Sequence, residues 1–129
     1  MLSSQQPIAT VAVRDLSAAS KFYEEVLGLK RVAEESGEAY SYEAGGTRLI
    51  VYRSQFAGTN QATAVTWRIE SDVDGLVRAL EGKGVKFEDY DMPQIKREGH
   101  VHVAGTQRVA WFKDPDGNIH ALAQGMNAR

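Results

Sequence analysis

Leu16, Ala19, Tyr23, Val26 and Leu27 recur at helical spacing behind polar Asp15 and Ser17, and Gly28 follows as a left-handed stop. This pattern predicts an amphipathic helix of about three turns. A second apolar stripe, Val73, Leu76, Val77 and Leu80, has Ser71 and Asp74 at capping-box spacing ahead of it and Gly84 behind it. Short β-prone runs precede the two helices at 8–14 and 64–69. Three more follow the first helix, at 29–34, 38–43 and 47–53, separated by the turn signals Ser36-Gly37 and Gly45-Gly46. Three follow the second, at 85–88, 108–113 and 118–124, the last two joined by Asp114-Pro115-Asp116-Gly117.

The order β-α-β-β-β therefore occurs twice, as a module of about 7–54 and another of about 63–125 within one domain spanning 1–129. VAVR at Val11 to Arg14 stands 54 positions before VTWR at Val65 to Arg68, whereas the hairpin glycines Gly46 and Gly117 are 71 apart. The second module thus carries 17 additional residues, which fall largely in 89–107, where periodicity is weak. Long loops in compact domains are commonly functional, so this segment, with His100 and His102, is expected to form a ligand lid.

Composition narrows the function. A chain of 129 residues buries roughly two thirds of its unfolded surface and needs no staples. The absence of cysteine removes disulfides, thiolate metal sites and cysteine nucleophiles. Fifteen Lys and Arg against 17 Asp and Glu, interspersed along the chain, argue against a nucleic-acid partner. No apolar run reaches 18 residues and Met1 to Pro7 is short and polar, so neither a membrane span nor a signal peptide is expected; a cytoplasmic protein is the default. No serine sits in a nucleophile elbow and no phosphate-binding glycine loop occurs, so no catalytic residue is assigned.

Two segments carry a family resemblance. VRDLSAASKFYEEVLGL at Val13 to Leu29 resembles the strand-to-helix signature of the glyoxalase/bleomycin-resistance/extradiol-dioxygenase, or vicinal oxygen chelate, superfamily, and WFKDPDGNIHAL at Trp111 to Leu122 resembles its closing hairpin. The resemblance implies an α+β fold in which two tandem βαβββ modules form an incomplete barrel, usually in a homodimer. In metal-dependent members, His, Glu or Gln from the first and last strand of each module hold a divalent ion that acts as a Lewis acid.

This sequence departs from that pattern at all four places. The corresponding positions are Ile8, Leu49 or Ile50 depending on a one-residue register, Ala64, and Ala121. A divalent ion needs several oxygen or imidazole ligands, and these side chains supply none, so no metal or other cofactor is expected. His120 is adjacent to Ala121 and, by strand alternation, should point to the opposite face, toward the helix layer. The alternative is a lyase, isomerase or dioxygenase of glyoxalase type whose ion is held outside the family positions by His100, His102 and His120.

An apolar concavity suits a flat hydrophobic ligand. The residues proposed to bind it are Tyr40, Tyr42, Tyr52, Phe56, Trp67, Arg68, His102 and Trp111, with aromatic rings stacking on the ligand and Arg68, equivalent to Arg14 under the repeat, as a polar anchor. The resemblance extends to the metal-free members that sequester bleomycin, mitomycin or other aromatic antibiotics unchanged. Non-catalytic binding of an aromatic small molecule or antibiotic is the function this implies.

Overall fold

The computed structural model describes residues 1–126, and the chain divides into two compact units, the first running from Met1 to Asn60 and the second beginning at Gln61. Together they show an α+β fold with two open sheets and few helices. Among the described residues no helix is long and apolar enough to cross a membrane.

In the first unit, β1 (Ala9–Val13) leads into α1 (Leu16–Ser20), and β2 (Lys30–Glu35), β3 (Ala39–Ala44) and β4 (Thr47–Arg53) follow. The sheet order is β1-β4-β3-β2, with β1 parallel to β4 and the other pairs antiparallel. Asp15 caps α1 by accepting from the backbone N–H groups of Ser17 and Ala18. The expected three-turn helix is not uniform. After Ser20 it widens into a π-helical segment, Lys21–Val26, closed by the bond from the Leu27 N–H to the Phe22 carbonyl five residues back. Gly28 then takes φ +75, the left-handed stop the sequence predicts. The helical segments cover Val11, Val13, Leu49, Val51 and Tyr42, all buried, and Tyr23 stacks on Tyr42 at 6.1 Å.

The second unit repeats the plan and enlarges it. β5 (Thr63–Ile69) precedes α2 (Val73–Gly82), then β6 (Phe87–Glu88), β7 (Lys96–Glu98), β8 (Val101–Ala104), β9 (Gln107–Lys113) and β10 (Ile119–Gln124). β5 lies parallel to β10 as β1 does to β4, and the sheet continues through β9, β8 and β7. β6 and β8 share one edge of β9: β6 pairs with Trp111 and Phe112, β8 with Gln107 to Val109. The segment 89–107, expected to be a lid, is therefore largely a β-hairpin that widens the sheet. Its period is hidden in the sequence because adjacent Val101 and His102 are both buried, so the polar and apolar positions do not alternate. The predicted capping box is also corrected. Asp72, in the left-handed region at φ 58, caps α2 by accepting from the Gly75 N–H, and a Cβ at position 75 would collide with that carboxylate.

The closing turn is built around buried Asp114. Its Oδ1 accepts from the N–H groups of Asp116 (2.9 Å) and Asn118 (2.8 Å), and its Oδ2 accepts from Asn118 Nδ2 (2.8 Å). Asp114→Ala leaves three donors without this acceptor, and urea unfolding should show a loss of about 2–3 kcal/mol. Asp114→Asn, which keeps one amide oxygen, should lose less.

Candidate functional site

Strand alternation and the ladder registers sort the proposed site residues into two faces. In the first unit, Tyr42 lies opposite Leu49 and Tyr40 opposite Val51. They share a face, but it is the helix side. Tyr42 is buried and its hydroxyl donates to Glu24 of the π-helical segment (2.9 Å). Burial and this donation hold the phenol well above its usual pKa. Arg31 pairs with the same carboxylate (2.8 Å) and places its guanidinium 3.9 Å over the Tyr40 ring. Tyr40 and Tyr42 thus anchor the helix to the sheet, and Tyr42 has no surface to offer a ligand. Tyr52, paired with Ala39, points to the helix-free side with Ile50, and Phe56 stands on the surface in the following loop.

In the second unit, α2 contacts the face bearing Gln124, which accepts the Val73 N–H (2.7 Å), and Arg108, which pairs with Asp74 (2.9 Å). His120 and Leu122 share that face, so His120 points to the helix side as expected. Trp67 does too. It lies opposite Leu122 and donates from Nε1 to His120 Nδ1 (3.0 Å). Phe112 stacks on the imidazole at 4.8 Å. Trp67 and Trp111 are therefore on opposite faces of one sheet, and the expectation that both line one cleft is corrected.

The helix-free face carries Thr66 and Arg68 from β5, Ala121 and Ala123 from β10, and Val109 and Trp111 from β9, in cross-strand rows Thr66–Ala121–Trp111 and Arg68–Ala123–Val109. Trp111 is partly exposed; its Nε1 donates to Thr63 Oγ1 (3.3 Å), and Tyr90 and His102 meet it edge to face at 5.3 and 4.9 Å. His102 holds this corner together. Its Nε2 accepts the Tyr90 N–H (2.9 Å) and its Nδ1 faces the Val109 carbonyl (3.2 Å), a pair of partners that places the proton on Nδ1. Both nitrogens are engaged and the ring is 2% exposed, so His102 positions Tyr90 and Trp111. Beyond Tyr90 a shallow groove of about 380 Å³ is lined by Asp91, Met92, Pro93, Ile95 and Arg97. Tyr90 and Thr63 are not legible as site residues in the sequence, because nothing in their spacing distinguishes them.

The strands also place the family metal positions. Leu49 is buried on the helix side, whereas Ile50 points to the helix-free side with Tyr52, and both are hydrocarbon. Ala121 occupies the helix-free face, Ala64 lies at the register shift between Ile119 and His120, and Ile8 immediately precedes β1. All four side chains are hydrocarbon. His100 lies between Asp89 (2.7 Å from Nδ1) and Glu81 (3.0 Å from Nε2), so it too has both nitrogens occupied. Among the described residues no group of three or more His, Cys, Asp or Glu could hold an ion. The donor set does not fit the family metal.

A chain built from two βαβββ units, each closing its sheet with a parallel pairing of first and last strand, defines the class. The chain belongs to the Glyoxalase/Bleomycin resistance protein/Dioxygenase superfamily, whose family model matches residues 5–122. No curated protein matches it significantly. Among solved structures it is similar to lactoylglutathione lyase from Agrobacterium tumefaciens (19% identity, TM-score 0.72, covering 95% of this chain and 94% of that one). It is also similar to the fosfomycin resistance protein FosX from Listeria monocytogenes complexed with Mn(II) and sulfate (19%, 0.71, 98% and 93%). A third is an integron cassette protein from the mobile metagenome of the Halifax Harbour sewage outfall (21%, 0.70, 94% and 98%). At these identities the likeness is one of fold.

The histidine environments are testable by stability. His102→Ala removes partners from the Tyr90 N–H and the Val109 carbonyl in a buried corner, so chemical denaturation should report a loss of about 2–4 kcal/mol; an unchanged midpoint would mean that His102 is not structural. The other two histidines oppose each other in pH. Burial pushes His120 down to about 4, so the unfolded chain takes up its proton first, and the stability present above the ordinary value of 6.5 is lost as pH falls from there toward 4. The loss from this group amounts to about 3 kcal/mol. Donation to Asp89 raises His100, so its contribution is complete below pH 6.5 and is lost as pH rises through the raised value. Unfolding midpoints across pH should show a flatter acid limb in His120→Gln and a flatter limb above pH 6.5 in His100→Gln.

Proposed function

We propose that this member of the superfamily binds a flat, largely apolar small molecule without a metal and without changing it chemically, and that antibiotic sequestration is its use. The observation that carries this reading is the replacement of all four metal-ligand positions by Ile8, Leu49 or Ile50, Ala64 and Ala121, with the three histidines committed to other partners. A smooth hydrocarbon wall favours burial of an aromatic ligand at about 25 cal/mol per Å² of apolar surface removed from water. The residue offered for stacking is Trp111 of the second unit, whose ring is partly exposed; in the first unit, taken by itself, Tyr52 and Phe56 have exposed ring surface. Support from similarity is limited to the fold: one similar structure is that of a fosfomycin resistance protein, and antibiotic resistance is a use of this architecture in that protein.

Tryptophan fluorescence of chelator-treated protein tests the proposal against bleomycin-, mitomycin-, anthraquinone- and enediyne-type compounds. Saturable quenching at micromolar or lower concentration is expected in the wild type and should disappear in Trp111→Phe, which keeps Trp67 as an internal control on the helix side. A flat response restored only by added divalent metal would overturn the reading in favour of a metalloenzyme.

A further inference from the structure

Arg68 differs from the other arginines on its sheet. Arg97 pairs with Asp89 (2.9 Å), and Arg108 pairs with Asp74 (2.9 Å) and Glu98 (2.9 Å), so both guanidinium groups are neutralised within the second unit. The Arg68 side chain has no ion pair or hydrogen bond among the described residues, although Glu70 lies two positions along the chain. Its cross-strand row is Arg68–Ala123–Val109, and the next row on the same face is Thr66–Ala121–Trp111. The two functional ends, a cation and an indole, are thus set diagonally across three strands. In these two rows the intervening strand β10 contributes only the methyl groups of Ala121 and Ala123.

The carboxylate nearest the indole is Glu88 of β6, the cross-strand neighbour of Trp111, and it is paired with Lys113 at 3.6 Å. β5, β9 and β10 place no carboxylate on the helix-free face between Thr63 and Arg68, between Val109 and Lys113, or between Ile119 and Ala123. The Lys113–Glu88 pair adds no net charge to the face, which leaves Arg68 as its unpaired cation on these three strands. Nothing on these three strands competes with an incoming anion for Arg68. A guanidinium recognises a carboxylate in two parallel N–H···O bonds, a geometry an ammonium cannot reproduce. Trp111 is held in place by Thr63, Tyr90 and His102, so its ring is available in a fixed orientation with little further ordering on binding.

We infer that the ligand is a planar aromatic anion, its ring against Trp111 and its carboxylate or equivalent acidic group on Arg68. This rests on the proposed ligand site at Trp111 and specifies the chemical class it takes. Within a panel of aromatic compounds, acids are favoured over their neutral analogues.

The test compares anthraquinone-2-carboxylate with anthraquinone-2-carboxamide by Trp111 quenching in chelator-treated protein. The two probes share a ring system and differ in charge. The carboxylate should bind about tenfold more tightly or better, and the gap should narrow as salt is raised. Arg68→Gln should erase the difference, while Arg68→Lys, which keeps the charge and loses the fork, should retain part of it. Equal affinity of the two probes in the wild type, or a difference that survives Arg68→Gln, would overturn the charge assignment and leave the Trp111 site standing. Quenching by neutral drugs with none by the carboxylate would do the same. Silence toward every compound would overturn the Trp111 site and this inference together.

Discussion

Each strand of this protein has one face for a helix and one without, and the alternation of side chains allows no residue to serve both. In the second unit, the hydrogen bond from Trp67 to His120 and the stacking of Phe112 on the same imidazole show how the helix side is satisfied. A buried ring nitrogen receives its donor, and Phe112 covers a face of the imidazole. Once His120, Leu122 and Gln124 are committed to α2, then Ala121 and Ala123 must occupy the other face. The hydrocarbon character of the family metal position at 121 is thus tied to the same register that buries His120.

The first unit shows the same division with different chemistry. Glu24 projects from the π-helical segment and receives both the Tyr42 hydroxyl and the Arg31 guanidinium. A partly buried carboxylate with two such partners is well compensated, and removing Glu24 would leave the buried Tyr42 hydroxyl without its acceptor while Arg31 keeps Glu34 at 3.2 Å. Leu49 and Val51 are drawn to this side, which leaves Ile50 and Tyr52 on the helix-free face. A residue type suited to ligand stacking therefore says little until its parity relative to the helix is known.

The inserted hairpin gives the second unit a corner that the first unit lacks. Val101 fills the core while His102, its neighbour, turns the opposite way and engages the Tyr90 N–H and the Val109 carbonyl. Those bonds tie the segment after β6 to β9 and fix Tyr90 against Trp111. The insertion thus buttresses an aromatic side chain from two sides.

Much of this was determined by the sequence alone. The repeated β-α-β-β-β order, the left-handed stop at Gly28, the DPDG turn, the family resemblance and the apolar character of the four metal positions all follow from local pattern and spacing, because turns, caps and strand periods are set by near neighbours. The direction of His120 toward the helix layer followed from alternation once Ala121 was placed. Only the tertiary structure decided that Tyr40, Tyr42 and Trp67 belong to the helix side, that His102 is a clip, that Ile50 rather than Leu49 faces away from the helix, and that residues 89–107 add strands. The reason is common to these cases: register across a sheet and the partner of a buried polar atom depend on residues distant along the chain, and His120 lies 53 positions from the indole that binds it.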